Sequence, residues 1–357
     1  MQIGIAGAGA IAMGYASFLL SQDHSACVWS PSGKSVAGLR EGVPLTATGA
    51  LEGDFNLQIC RSAEELAKND IIILALPAYG YRMVLDNLVP HIEPRHTVII
   101  SGHLSFAALY LAKRLSERGI EVPIGVWNTT ILTSKAQSST HIRIGAIRAK
   151  VDMAVLPVRR TDEARAVCEE LFGDRFLIKD DMLTIALSNL NPQNHMGIAL
   201  CNLTRIERGE AWGQNTNVTP AVARLLEGLD RERLEIAAAF GKTVRTIFDH
   251  STLTHGISGG SVAEVYANLA QQGKDPVGPK DINTRYVLED VPFGLVTTIY
   301  LARMAGVAAP LHTSGVAILS ACYGRDFTAD NDLLPELGLV ERDLLVRAAT
   351  DGYPVAS

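Results

Sequence analysis

Residues 7–12 read GAGAIA, a fit to GxGxxG/A through Gly7, Gly9 and Ala12. Each position has a physical task. Gly7 permits a tight turn out of a strand, Gly9 lacks the Cβ that would hold a pyrophosphate off the backbone, and Ala12 lets helix and strand pack closely. Ala10 and Ile11 open the helix that follows, so its unpaired N–H groups and positive dipole end would face a phosphate. Small residues cluster in many turns, and the plainer alternative is a strand–helix turn with no ligand. The setting after a strand and before a helix favours a dinucleotide site.

About twenty residues further on, a dinucleotide-binding domain commonly carries an acidic residue that holds the adenine ribose. This chain has WSPSGK at 29–34 instead. A carboxylate there would repel the extra phosphate of NADP. Ser30 and Ser32 can donate hydrogen bonds to that phosphate, and Lys34 can add a charge-assisted contact. The expectation is therefore NADPH in preference to NADH, with NAD still usable. The competing reading is an ordinary exposed Ser/Pro/Gly turn. Pro77, with Ala78 and Tyr79, and Trp127 to Thr130 follow two later strand-like runs, and both stretches are candidates to line the nicotinamide end.

The second half holds two further stretches with reactive side chains. In NLNPQNH, residues 189–195, His195 stands among amides within an apolar helical pattern. In NTRYVLED, residues 283–290, Arg285 and Asp290 are five apart, beside Glu289. Read alone, His195 could be a hydrogen-bonded core histidine and Arg285–Asp290 a simple ion pair. His103, His141, His250, His255 and His312 are scattered without metal-ligand spacing, so no metal is expected.

The elements that must carry these residues follow from patterning. Strand-like runs occur at 2–6, 26–29, 71–76, 97–101 and 123–127, with helical stretches between several of them, notably 63–68 and 105–118. Continuous β-branched runs alternating with helices predict a parallel sheet covered on both faces, a doubly wound Rossmann-type α/β domain. Two extended segments within 142–157 are expected at the edge of that sheet. Residues 161–173 predict a helix capped by Thr161 and ended by Gly173. Beyond about residue 180 strand patterns fade. Helices are predicted from 184 to about 209 with a kink at Pro192, from Pro220 behind a Thr219 cap, and at 231–249, 261–271, 294–305 and 311–322. GISGGS, 256–261, reads as a loop leading to a helix capped by Ser261. The expected organisation is a nucleotide domain over 1–180 and an all-helical substrate domain over 181–357.

Bulk properties narrow the partners. The chain has 357 residues, 47% hydrophobic, with net charge −6, which offers no general attraction to nucleic acid or anionic membrane. No apolar run is long enough to span a bilayer, and no basic region precedes the first apolar run, so a cytoplasmic protein is expected. Five cysteines without a CxxC pair argue against a disulfide framework, and each reads as a small buried apolar residue.

Taken together, GxGxxA, SNLNPQNH and INTRYVLEDVPFGLV resemble the opine dehydrogenases, the family of octopine and nopaline dehydrogenases and N-carboxyalkyl amino acid dehydrogenases, over nearly the whole chain. Met196 stands where other members often have proline after the histidine. The resemblance implies reductive condensation of an amino acid with a 2-oxo acid such as pyruvate or 2-oxoglutarate, using NAD(P)H. It implies His195 and Asp290 as the catalytic pair and Arg285 as the binder of a substrate carboxylate. Those types suit the task. Histidine can give a proton near neutral pH, a carboxylate on its other nitrogen sets the tautomer, and a guanidinium grips a carboxylate bidentately. The reactants would then meet in a cleft between domains. A homodimer is open. A ketopantoate reductase-like or glycerol-3-phosphate dehydrogenase-like enzyme is the nearest alternative, but Lys242, Lys274 and Lys280 lie in no convincing motif. A non-catalytic NADP sensor is the other alternative, and it would leave the His/Arg/Asp set without a purpose.

Overall fold

A computed structural model describes residues 1–354, and of Lys34 the backbone alone. Its strands are β1 (Gln2–Ala6), β2 (Ser25–Trp29), β3 (Leu45–Gly49), β4 (Gly53–Phe55), β5 (Gln58–Ile59), β6 (Ile71–Leu74), β7 (Thr97–Ile100), β8 (Ile124–Trp127), β9 (Leu132–Ala136), β10 (His141–Ile147), β11 (Val151–Leu156) and β12 (Phe176–Ile178). The main sheet runs β12-β11-β8-β7-β6-β1-β2-β5 and is parallel except between β8 and β11. Every residue of β6, β7 and β8 is buried, as a parallel sheet covered on both faces requires. The expected Rossmann-type sheet followed by a helical region is what the chain forms.

A second, four-stranded sheet, β4-β3-β10-β9, corrects the edge-strand expectation. Of the two segments in 142–157, β11 joins the main sheet beside β8, whereas β10 pairs with β3 and β9 instead. The first helix, α1 (Ala10–Ser21), packs against both sheets, and Tyr15 on it joins Trp127 and Phe172 in the core.

The chain folds into two compact units. One holds 1–186 together with Glu336–Leu339 and 343–354, and the other holds Leu187–Pro335 and Val340–Arg342. The expected division at 180, with everything later in a helical domain, therefore needs correction. Residues of the chain's end, including the Arg342–Asp351 helix from Asp343 on, belong to the first unit, where Tyr353 donates to the Leu337 carbonyl at 2.7 Å.

The second unit is helical, apart from one isolated bridge between Gly213 and Val277. Pro192 does not kink a continuous helix. The Met182–Ser188 helix stops, and a new one, Asn191–Cys201, starts with Pro192 in its first turn, where its missing N–H costs nothing. The Pro220–Ala239 helix runs unbroken through the start of the predicted 231–249 segment, and Ile247–His255 is separate. Thr161 does not cap. Arg160 occupies that position, and the Thr161 hydroxyl donates back to the Val158 carbonyl. Ser261 caps Val262–Gln271 as expected, accepting from the Glu264 N–H. Cys27, Cys60 and Cys168 are buried thiols, but Cys201 and Cys322 are exposed, against expectation.

Candidate active site

β1 lies between β2 and β6, so the strand order reverses at β1. In open α/β sheets ligands bind outside the carboxyl ends of strands at such a point. Registers bring Trp29, Ala6 and Leu74 level at those ends. Gly7, Ser30 and Pro77 thus leave three adjacent strands at one edge. The Gly7 N–H donates to the Trp29 carbonyl at 2.9 Å, which holds the glycine turn against the end of β2.

The two glycines have different causes. Gly7 has φ +126°, and a Cβ there would stand 2.3 Å from the Ala75 carbonyl oxygen, so the fold itself demands glycine. Gly9 is exposed, and a Cβ on it would meet nothing within 4 Å. No packing within the protein explains Gly9, whereas close approach of a ligand does. Gly9 caps α1 without a side-chain bond, so the N–H groups of Ala10, Ile11 and Ala12 point out of the first turn. Ala12 is fully buried, in keeping with its packing task. These residues fit a dinucleotide pyrophosphate.

In the WSPSGK turn Ser30 is half-buried and Ser32 exposed; the Lys34 side chain lies outside the described residues. Gly33 is left-handed, at φ +65°, and a Cβ on it would come 2.9 Å from Arg40 Nη1. A guanidinium therefore lies over this turn, contributed by the Ala37–Arg40 helix. Among the described residues Arg40 has no carboxylate partner. Nothing within the turn itself announces Arg40; the signal the sequence carries is a basic residue six positions beyond it. The Trp127 expectation fails: its ring is fully buried against Tyr15, Phe172 and Phe176. Asn128 is tied to Asp152, accepting from its N–H at 3.0 Å.

In the second unit, Asn189 and Asn191 build the turn that starts the histidine's helix: Asn189 Oδ1 accepts from the Asn191 N–H at 3.0 Å. His195 Nδ1 lies 2.7 Å from Asp290 Oδ2. The histidine side chain is 22% exposed and the aspartate's 9%, so a partly exposed ring is backed by a largely buried carboxylate. Asp290 precedes a π-helical stretch, Val291–Leu295, in which Pro292 lacks the N–H a regular α-helical ladder would use. That stretch is locked in place. Gly294 packs on Pro192, where a Cβ would stand 2.4 Å from Pro192 Cγ, and Asn331 Nδ2 donates to the Pro292 carbonyl at 2.8 Å.

Tyr286 stacks on His195, with centroids 3.7 Å apart and planes within 8°. Burial first, and then the Asp290 charge, pushes the Tyr286 phenol up, so it stays neutral. Arg285 is exposed, and its Nε pairs with Glu289 Oε2 at 2.5 Å, not with Asp290. The Arg285–Asp290 ion pair considered from sequence therefore does not form, and Asp290 serves His195. Met196, in the position often held by proline, is fully buried against Gly315 and leaves the helix regular.

His312 is fully buried and paired with Glu232 at 2.7 Å. Burial holds the His103 imidazole down to about 3, so it is neutral. Among the described residues no group of three or more His, Cys, Asp or Glu could hold a metal, and no helix is long and apolar enough to cross a membrane.

Residues 178–323 match the alpha-helical domain of NAD/NADP octopine/nopaline dehydrogenases, and residues 2–103 match coenzyme F420-dependent NADP oxidoreductases. Over 331 residues, 91% of each chain, the sequence is 27% identical to an opine dehydrogenase of Arthrobacter sp. (strain 1C). A solved octopine dehydrogenase in complex with NADH and agmatine superposes with a TM-score of 0.83 at 13% identity, covering 99% of each chain. A yersinopine dehydrogenase with NADP+ bound gives 0.73 at 17% identity over 94% of this chain and 98% of that one. At such identities these two likenesses speak for the fold alone.

Proposed function

We propose that this chain is an opine dehydrogenase, an oxidoreductase that uses NAD or NADP, and that it joins the amino group of an amino acid to a 2-oxo acid such as pyruvate or 2-oxoglutarate, with NADPH as the preferred reductant. In the net reaction one hydride and one proton are consumed, one water leaves, and a secondary amine dicarboxylate forms. The cofactor supplies the hydride. The chain's own residues do the rest. The α1 N-terminus and Gly9 hold the pyrophosphate, Arg285 takes the carboxylate of the oxo acid, and His195 donates the proton. Asp290 fixes the ring so that Nε2 faces the reactants and carries the proton given up.

One observation carries this reading above the others: the 2.7 Å contact between His195 Nδ1 and Asp290 Oδ2 on a partly exposed ring. The test is an activity screen of amino acids against pyruvate and 2-oxoglutarate, with mass spectrometry of the product. NADPH oxidation is expected to require both an amine and an oxo acid. Oxidation with the oxo acid alone would point to a simple hydroxy-acid dehydrogenase.

The preference for NADPH is supported by the absent acidic residue, by Ser30 and Ser32, and by the Arg40 guanidinium over Gly33. A charge-assisted contact to the ribose phosphate is worth about 1.5–3 kcal/mol, so Arg40→Ala is expected to lower kcat/KM for NADPH by about ten- to a hundredfold. NADH turnover should be left nearly unchanged. Ser30→Asp is expected to reverse the preference. A native enzyme that favours NADH would sink this assignment without touching the reaction.

A further inference from the structure

The stack of Tyr286 on His195 is an unusual choice for two neutral rings. Neutral aromatic pairs prefer offset or edge-to-face packing, because like quadrupoles repel when rings lie directly over each other. Here the centroids are 3.7 Å apart and the planes within 8° of parallel. Protonation of the imidazole reverses the sign of the interaction, since a cation is drawn to the face of a phenol ring. The geometry therefore favours the imidazolium.

The tyrosine is held there. Its hydroxyl donates to Gln214 Oε1 at 2.5 Å, and its own residue sits in the Arg285–Leu288 helix, two positions after the Thr284 cap. On the elements packed against the histidine's helix, His312 pairs with Glu232, Arg233 with Asp230, Arg285 with Glu289 and Arg205 with Glu210, Glu227 accepts from the Val262 N–H, and Arg224, Arg231, Glu235 and Glu207 are exposed to solvent. Asp290 holds Nδ1, and Tyr286 covers the ring face.

We propose that Tyr286 is a positioning residue for proton transfer: its ring face, with Asp290 at Nδ1, stabilises the imidazolium of His195 and keeps the acid form available while the substrate is reduced. The proposal rests on the reading of His195 as the proton donor. It gives a purpose to a tyrosine inside the NTRYVLED stretch that the catalytic set alone does not use.

The test is the pH dependence of kcat in the reductive direction, where the rate falls at high pH as the acid form is lost. Tyr286→Phe keeps the ring and is expected to leave this limb in place. Tyr286→Leu is expected to move it to lower pH by about one unit, the scale of a partly buried cation–π contact. Activity of the leucine variant should then recover toward the native value in acidic buffer, with the Kd for NADPH unchanged. A series of progressively fluorinated phenylalanines at position 286 preserves the ring's shape while draining its negative face, and guards against a leucine variant that fails to fold. The limb should step downward along that series. A limb that stays fixed through the series, or a leucine variant whose rate falls equally at every pH, would overturn the proposal while leaving His195 as the donor. Turnover that survives His195→Ala would overturn that underlying assignment and this proposal with it.

Discussion

His195→Ala is expected to lower kcat by about a thousandfold, while the Kd for NADPH stays nearly unchanged. General acid–base groups contribute about a hundred- to ten-thousandfold to a rate. Here the side chain is 22% exposed and Nδ1 is bonded to Asp290, which under the proposed reading leaves Nε2 as the nitrogen that exchanges the proton. The glycine turn that would hold the cofactor belongs to the other compact unit, so its affinity should not follow the histidine. The substitution also strands the Asp290 carboxylate, which is largely buried. Thermal unfolding must therefore be measured in parallel, and His195→Asn, which leaves a polar partner beside the carboxylate, separates lost chemistry from lost stability. If turnover persists in folded alanine and asparagine variants, His195 is not the proton donor.

The parts of this site that could be read without coordinates are those with local causes. Gly7 is required by its own φ and by the Ala75 carbonyl beside it, and a strand–glycine–helix sequence announces such a turn. The continuous apolar runs of β6 and β7 announce a buried parallel sheet for the same reason. What escaped reading depends on distant partners. β3 and β4 are short and half-exposed, and β3 becomes a sheet strand partly through pairing with β10, nearly a hundred residues later. Residues at the chain's end join the first unit, and no local pattern in them says so. His195 and Asp290 are 95 residues apart, and only a resemblance to a known family suggested that they meet. The tyrosine stack and the Arg40 guanidinium had no such help. Each becomes visible only when a side chain from one element is seen lying over another.

Asp290→Asn is expected to cost nearly as much as removing the histidine, a fall in kcat of about a hundred- to ten-thousandfold, and for a different reason. The substitution is close to isosteric, and the backbone around it is held by contacts that the side chain does not make. Gly294 rests on Pro192, and Asn331 binds the Pro292 carbonyl. The fold should therefore survive, with thermal unfolding close to that of the native chain. What changes is charge and proton placement. An asparagine that turns its carbonyl to Nδ1 keeps the tautomer but removes the charge that stabilises the imidazolium. One that turns its NH2 group to Nδ1 forces the ring proton to Nε2, so the neutral ring cannot act as a base there in the oxidative direction. In the reductive direction, loss of the counter-charge should push the high-pH limb of kcat downward, beyond the shift expected on loss of the Tyr286 ring. Asp290→Glu keeps the charge but lengthens the arm, and it should restore part of the rate only if charge rather than exact placement dominates. A folded Asp290→Asn enzyme with a rate within a few-fold of native would show that this carboxylate has no part in proton transfer.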